Sequence, residues 1–552
     1  SSTQRAWDCS GAVLGSLMML GGLLAVQGLH PLAALVLAIG LGVRMRRVIL
    51  RPSPAGIRIA RGAGVLTLIG WPLFGLWHLS SSGASALPVA TPAARQHRPN
   101  LLWIVLDTVS ADRMSLHGYH RPTTPELQRW ASLGITFEQA RSAAPWTLPS
   151  HVTMFTGLWP FQHQARVDRP YTLSAPTLAE SLGQRGYSTA GFVANTEMCN
   201  ACYGVGRGFS TYVDLPINQE VSLNVALLNS ALGRQVLRLA GKLGLEVRDS
   251  FPREHRRSAP DVIAEADAWL RGGADVSQES GGGEASTSSR RPFLLFLNFM
   301  EAHGPYLPAS PSPRRFWTGP LPPRRQATPS AGYDAAKALA RASESEKSRR
   351  AQEFEDVAQR LGDLYDDCLR DLDAQVGAML DRWRGEGRLA HTWIVITSDH
   401  GEHFGEHGLF GHGGSLHREL THVPLMIIPP LGDDREEVRK LRGLRVASPV
   451  SLRDLPATFE AILTPESSAR FPGRSLARHW SSPSPVEPDP ILMQLEQQLL
   501  EGDDVPTDAI VTMDAVIDEG HVLIESRGGG PRLYSLANDP SERHNLAGAP
   551  VE

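Results

Sequence analysis

The sequence predicts an α/β fold: a mostly parallel central sheet flanked by helices, a small C-terminal antiparallel sheet, and transmembrane helices at the N-terminal end. Three observations predict it. Apolar runs of strand length each lead into a residue with metal-ligating or acid–base chemistry. Helical patterns alternate with those runs, as in sheets built from strand–helix–strand units. Residues 11–43 are almost free of charge and are followed by an arginine cluster.

Gly11 to Leu29 is an apolar run long enough to cross a bilayer, which takes about 20 residues. His30-Pro31 interrupts it, Leu32 to Val43 continues it, and a third run spans Gly64 to Leu79. Residues 1–80 are therefore expected to hold two to three transmembrane helices. Arg44, Arg46, Arg47 and Arg51 fall between the second and third runs, and the excess of positive charge on cytoplasmic loops places them inside. The chain after about Ser80 then lies outside the cell membrane. A cleaved signal peptide would show one apolar core and a cleavage site, not several runs around a basic loop. The chain opens on Ser1, which leaves room for helices upstream. Residues 81–97 read as a linker rich in Ser, Ala, Pro and Thr.

The catalytic domain is expected over residues 98–480. Leu101 to Leu106 is an unbroken apolar run ending at Asp107, the pattern of a strand buried on both faces. Phe293 to Leu297 leads in the same way to Glu301 and His303, and Trp393 to Ile396 leads to Asp399 and His400. In open α/β sheets ligands gather at the C-terminal ends of the strands. Thr124 to Leu133, Thr177 to Gln184 and Leu364 to Trp383 carry helical patterns. Residues 271–291 are low complexity, and residues 308–350 read as an insertion rich in Pro, Arg and Ala. Residues 481–552 form a C-terminal subdomain, with short strands expected at Ala509–Met513, His521–Ile524 and Arg532–Tyr534.

With 552 residues, 42% hydrophobic, 20% charged and a net charge of −4, the chain suits one large domain with appendages. No basic face points to nucleic acid. Four cysteines make no disulfide framework. Cys199-Asn-Ala-Cys202 reads as a local disulfide or two free thiols.

The segments that carry chemistry resemble the sulfatase family of the alkaline phosphatase superfamily, over roughly residues 98–547. Val105-Leu-Asp107, Leu116-His-Gly-Tyr119, Trp146-Thr147-Leu-Pro-Ser150-His151, Glu301-Ala-His303-Gly-Pro-Tyr306, Tyr365-Asp366, Ser398-Asp399-His400-Gly-Glu402 and Tyr534-Ser-Leu come in that family's order. The resemblance implies a metal centre of Asp107, Thr147, Asp399 and His400, with a divalent ion such as Ca, Mg, Mn or Zn. Carboxylate suits hard cations, and imidazole suits borderline ones. It also implies an acid–base set of Thr147 as nucleophile with His151, His303 and His412.

Thr147 stands where a sulfatase carries the Cys or Ser that becomes formylglycine, so no formylglycine is expected and the nucleophile is a plain alkoxide. His151 replaces an arginine, His412 a lysine, and Thr108 the second acid of an Asp-Asp pair. None of the four lysines, Lys242, Lys337, Lys347 and Lys440, falls in a motif. The expected function is a membrane-anchored, metal-dependent hydrolase of sulfate or phosphate esters. Its expected partners are the membrane and a sulfated or phosphorylated small molecule, glycan or lipid. A phosphoglycerol- or phosphoethanolamine-type transferase and a non-catalytic binding protein are the alternatives. A threonine ester lacks the hemiacetal exit of formylglycine, which favours phosphoryl chemistry.

Overall fold

The computed structural model describes residues 98–166, 169–214, 256–272, 291–307, 314–465, 470–481, 486–498 and 510–548. The expected transmembrane region and linker, and nearly all of the low-complexity stretch, lie outside these residues. Among the described residues no helix is long and apolar enough to cross a membrane.

The main sheet contains β1 (Asn100–Leu106), β2 (Ile135–Arg141), β3 (Ser188–Val193), β4 (Thr211–Val213), β5 (Phe293–Phe299) and β6 (Thr392–Thr397). After the small hairpin β7 (His403–Phe404) and β8 (Phe410–Gly411), it continues with β9 (His422–Ile428), β10 (Leu444–Val446) and β11 (Val450–Ser451). The nine strands run in the order β10-β2-β9-β6-β1-β5-β3-β4, with β11 also on β2. All pairings are parallel except those of β9, which lies antiparallel to β6 and β2. The helices are α1 (Pro125–Ala131), α2 (Thr147–Thr156), α3 (Leu178–Gln184), α4 (Ala259–Arg271), α5 (Pro329–Ala340), α6 (Lys347–Gly385) and α7 (Leu455–Leu463).

β1 explains its own composition. Leu102, Ile104 and Leu106 face an apolar layer shared with α1, α4 and α6. Leu101, Trp103 and Val105 face the opposite layer, shared with α2, α3 and α7. Side chains alternate faces along a strand, so a central strand with helices on both sides must be apolar throughout. Trp103 meets Phe155 of α2, Phe296 of β5 and Phe459 of α7 edge-on, with ring centroids 5.3, 5.7 and 5.1 Å away. That cluster seats α2 against the sheet.

The C-terminal antiparallel sheet has four strands, namely β12 (Ile491–Gln498), β13 (Ile510–Asp518), β14 (His521–Ser526) and β15 (Arg532–Ser535). Its apolar face closes over Leu416, Trp146 and Trp159, which places it beside the start of α2. The expected insertion is partly helical. A Cβ on Gly332 of α5 would lie 2.2 Å from the Phe410 ring, and Pro329 lies against Gly304 and Gly411. The insertion therefore packs on the two loops that carry His303 and His412.

Candidate active site

The ends of β1 and β6 and the start of α2 converge. Asp107 follows β1, and its backbone N–H donates to Phe299 O at 2.8 Å. Asp399 follows β6 by two residues and is clamped at three points. Its Oδ1 accepts from Thr108 N at 3.2 Å and from His400 N at 2.9 Å, and its carbonyl accepts from Ser150 Oγ at 2.7 Å. Ser398 Oγ ties the two strand ends together, accepting from Val109 N at 2.9 Å and donating to His400 O at 2.7 Å. Thr108, at φ 62°, sits in the left-handed region that a β-branched residue rarely adopts. The Tyr365 hydroxyl holds that turn by donating to Thr108 O at 2.9 Å. The Thr108 side chain bonds the Asp107 carbonyl and adds no acid to the site.

Thr147 is the first residue of α2 and is 2% exposed. Pro149 fits the first turn because its missing N–H has no partner there to lose. The free N–H groups and the helix dipole at this end favour an anion. Thr147 Oγ1 lies 3.3 Å from His400 Nε2. His400 Nδ1–H donates to Gly401 O at 3.0 Å, which leaves the Nε2 lone pair facing inward. Burial, and then repulsion from His412, holds the His400 imidazole down at about 3, so it is neutral. Nε2 is also 3.5 Å from Asp399 Oδ2, with no proton to share between two acceptors.

This set fits a divalent cation. Asp107, Asp399 and His400 offer ligand atoms within 4.8 Å of one another. Asp107 Oδ1 and Asp399 Oδ2 are buried without a hydrogen-bond partner. Two carboxylates and an imidazole lone pair turned on one point repel unless a cation lies between them.

The other expected site residues divide in two. His303 and His412 form a partly exposed rim, with ring centroids 5.1 Å apart, and the His412 ring is 4.5 Å from that of His400. His412 Nδ1–H donates to Glu402 Oε1 at 2.8 Å, and His303 Nδ1–H donates to Gly304 O at 2.8 Å. Burial holds His412 down at about 3, while burial pushes Glu402 up to about 7. His151 instead turns back into the protein. Its Nδ1–H donates to Thr147 O at 2.8 Å and lies 3.7 Å from Asp399 Oδ2, while Nε2 faces Cys199 Sγ at 3.6 Å. Cys199 and Cys202 form no disulfide with each other. His417 and His422 are buried and hydrogen-bond Glu542 and Asp112, and His391 is exposed.

Three contributors escaped the sequence reading. Asn195 Nδ2 donates to Asp107 Oδ2 at 2.8 Å and so aims the other oxygen at the centre. Glu402 orients His412, and Cys199 abuts His151. Asn195 had a usable signal, since it follows the apolar strand β3 as Asp107 follows β1. Nothing in the sequence pairs Cys199 with His151.

A family model described as Sulfatase matches residues 99–461. The uncharacterized sulfatase YidJ of Escherichia coli is 23% identical over 478 residues, 81% of this chain and 83% of that protein. Arylsulfatase K of Bos taurus is 24% identical over 515 residues, 86% and 84% of the two chains. The crystal structure of the phosphonate monoester hydrolase of Agrobacterium radiobacter superposes with a TM-score of 0.56 at 20% identity, covering 82% of this chain and 92% of that one.

Proposed function

The chain belongs to the sulfatase family and is a hydrolase of sulfate or phosphate esters; from that premise we propose that Thr147 is its nucleophile and a phosphorus ester its preferred substrate. One observation carries the reading: Thr147 Oγ1, at a helix N-terminus, sits 3.3 Å from His400 Nε2 beside two unpartnered carboxylate oxygens. Asp107, Asp399 and His400, with Thr147 beside them, would hold a divalent cation, which would lower the alcohol pKa and offset charge on the ester oxygens.

This chain's own residues do the rest. The first turn of α2 directs N–H groups at the anion. Thr147 Oγ forms the new bond to phosphorus or sulfur as the leaving oxygen departs. His303 is placed at the open rim to protonate that oxygen, and His412, neutral and oriented by Glu402, offers its Nε2 as an acceptor. His151, bonded to the Thr147 carbonyl, holds the first turn of the helix. Water then cleaves the threonine ester and regenerates the hydroxyl. Because that ester has no internal exit, phosphoryl chemistry suits it better than sulfuryl chemistry. The same reading places the domain outside the cell membrane, tethered through residues 1–80, on the sequence pattern alone.

The test assays an aryl sulfate, an aryl phosphate and an aryl phosphonate side by side with Mn²⁺, Mg²⁺, Ca²⁺ or Zn²⁺, using Thr147→Ala as control. Turnover of a phosphorus ester that the variant loses supports the reading. Turnover of sulfate alone overturns the phosphoryl preference. Full activity in Thr147→Ala overturns the nucleophile. Transfer to an added alcohol in place of hydrolysis would make the protein a transferase.

A further inference from the structure

A second polar site lies between the main domain and the C-terminal sheet. There the segment after β11, the Arg474–Arg478 segment and the approach to β12 enclose a cleft. Three arginines line it, Arg453, Arg474 and Arg478, against two carboxylates, Asp454 and Asp489. Both carboxylates are already engaged. Asp489 pairs with Arg474 and, at 3.1 Å, with Arg478. Asp454 Oδ1 accepts from Arg474 N at 3.0 Å, and its Oδ2 lies 3.8 Å from Arg478.

Arg453 is left over. Its guanidinium stacks on the Trp159 ring at 4.6 Å, and its Nε is buried without an acceptor, as is that of Arg478. Buried N–H groups are almost always paired, and a guanidinium seated over an aromatic ring, with its Nε unpaired, suits contact with an oxyanion. Burial also pushes Asp454 up to about 6, so the cleft becomes more positive in mild acid.

We propose that this cleft is a second oxyanion site, which takes a sulfate or phosphate group on Arg453 and Arg478. It is distinct from the reaction centre. Thr147 opens α2 and the cleft flanks the far end, where Gly157 packs on Arg453 O; ten residues of helix span about 15 Å. The group arrives either as a free anion or on a sulfated or phosphorylated chain.

The test titrates inorganic sulfate and phosphate into the full chain by calorimetry in oxyanion-free buffer. Wild type, Thr147→Ala, Arg453→Ala and Arg453→Lys are compared, each with and without EDTA. Saturable binding should survive EDTA and Thr147→Ala. It should weaken about tenfold or more in Arg453→Ala, the loss expected for a charge-assisted pair, and less in Arg453→Lys. Melting curves in anion-free buffer check that each variant is folded. A sulfated disaccharide that binds more tightly than sulfate, through Arg453, identifies a chain-borne group; binding of inorganic anions alone identifies a free one. Binding that disappears with EDTA or is indifferent to Arg453 belongs to the reaction centre and overturns the proposal, as does no binding at all.

Discussion

Asn195 shows how much of the centre rests on one amide. It fixes one oxygen of Asp107 at 2.8 Å and leaves the other free of any partner. Outer partners of metal ligands typically contribute about 10- to 100-fold in metal affinity. Asn195→Ala is therefore expected to weaken Mn²⁺ binding by about that factor, read by calorimetry on the metal-free chain; an unchanged affinity would remove Asn195 from the site. Glu402→Ala should act differently. It frees the His412 ring, which touches no carboxylate ligand, so kcat with an aryl ester should fall while metal affinity stays within a few-fold. Asp107, Thr147, Asp399 and His400 were legible because each follows a strand or opens a helix in a recognisable motif. Asn195 carried a strand-end signal but its bond to Asp107 crosses 88 residues, Glu402 stood inside a recognised motif without a role, and no local spacing joins Cys199 to His151. His151 was legible in position but not in direction: an i to i−4 bond to the Thr147 carbonyl turns it inward.

At the scale of the element, α2 matters most, because it carries Thr147. Phe155 packs it on Trp103 and Phe296, at 5.3 and 5.1 Å. Phe155→Ala should cost about 3–5 kcal/mol in denaturant unfolding, with loss of activity as the helix shifts. His163, just after the helix, adds a pH dependence. Ala165 N–H donates to its Nδ1, so Nε2 carries the proton and donates to Thr153 Oγ1 at 3.0 Å. Burial holds this imidazole down at about 3 against an ordinary 6.5. Between those values the unfolded chain binds a proton that the folded chain refuses, so stability is full above about pH 6.5 and drains as pH falls toward 3. His163→Asn keeps the acceptor for Ala165 without titrating. It should flatten the dependence of Tm on pH in that window, and an unchanged slope would clear His163.

The elements themselves were partly legible. β1, β5 and β6, buried on both faces, announced themselves as apolar runs, and α1 and α3 fell within the expected segments. α6 is longer than expected, 39 residues from Lys347: its first two turns carry no large apolar residue, and the stripe Phe354, Val357 and Leu361 that packs on the core is thinned by the charges between. β12 was not anticipated. Within it Ile491, Met493 and Leu495 meet the core, and Gln494 and Glu496 between them mask the strand. β9, the antiparallel exception, has a composition that suits either direction.

Across the described residues, the C-terminal segment is joined to the loops around the centre. Trp146, next to Thr147, packs on the C-terminal sheet's apolar face and on His412, 4.9 Å away. A short polar clasp then locks that sheet down. Glu542, 1% exposed, accepts from His417 Nδ1 at 2.9 Å and from Arg418 N at 3.1 Å. His417 stacks on His407, 3.8 Å away and nearly parallel, and Arg532 lies 3.3 Å from its Nε2. Arg418 reaches Asp112, in the turn after β1. The clasp therefore joins the C-terminal segment to the loop bearing His412 and to the strand end bearing Asp107. Removing Glu542 leaves the His417 and Arg418 N–H groups buried without this acceptor, at about 1–3 kcal/mol each. Glu542→Ala should destabilise the chain by that order in denaturant unfolding. Activity should fall before global unfolding, because the loop that carries His412 loosens first. Glu542→Gln keeps an acceptor for both N–H groups and should recover most of the stability. If Glu542→Ala unfolds in one step with activity and structure lost together, the C-terminal sheet is simply part of a single cooperative core. Loss of activity at lower denaturant than loss of helix would show instead that the sheet acts on the reaction centre through this clasp.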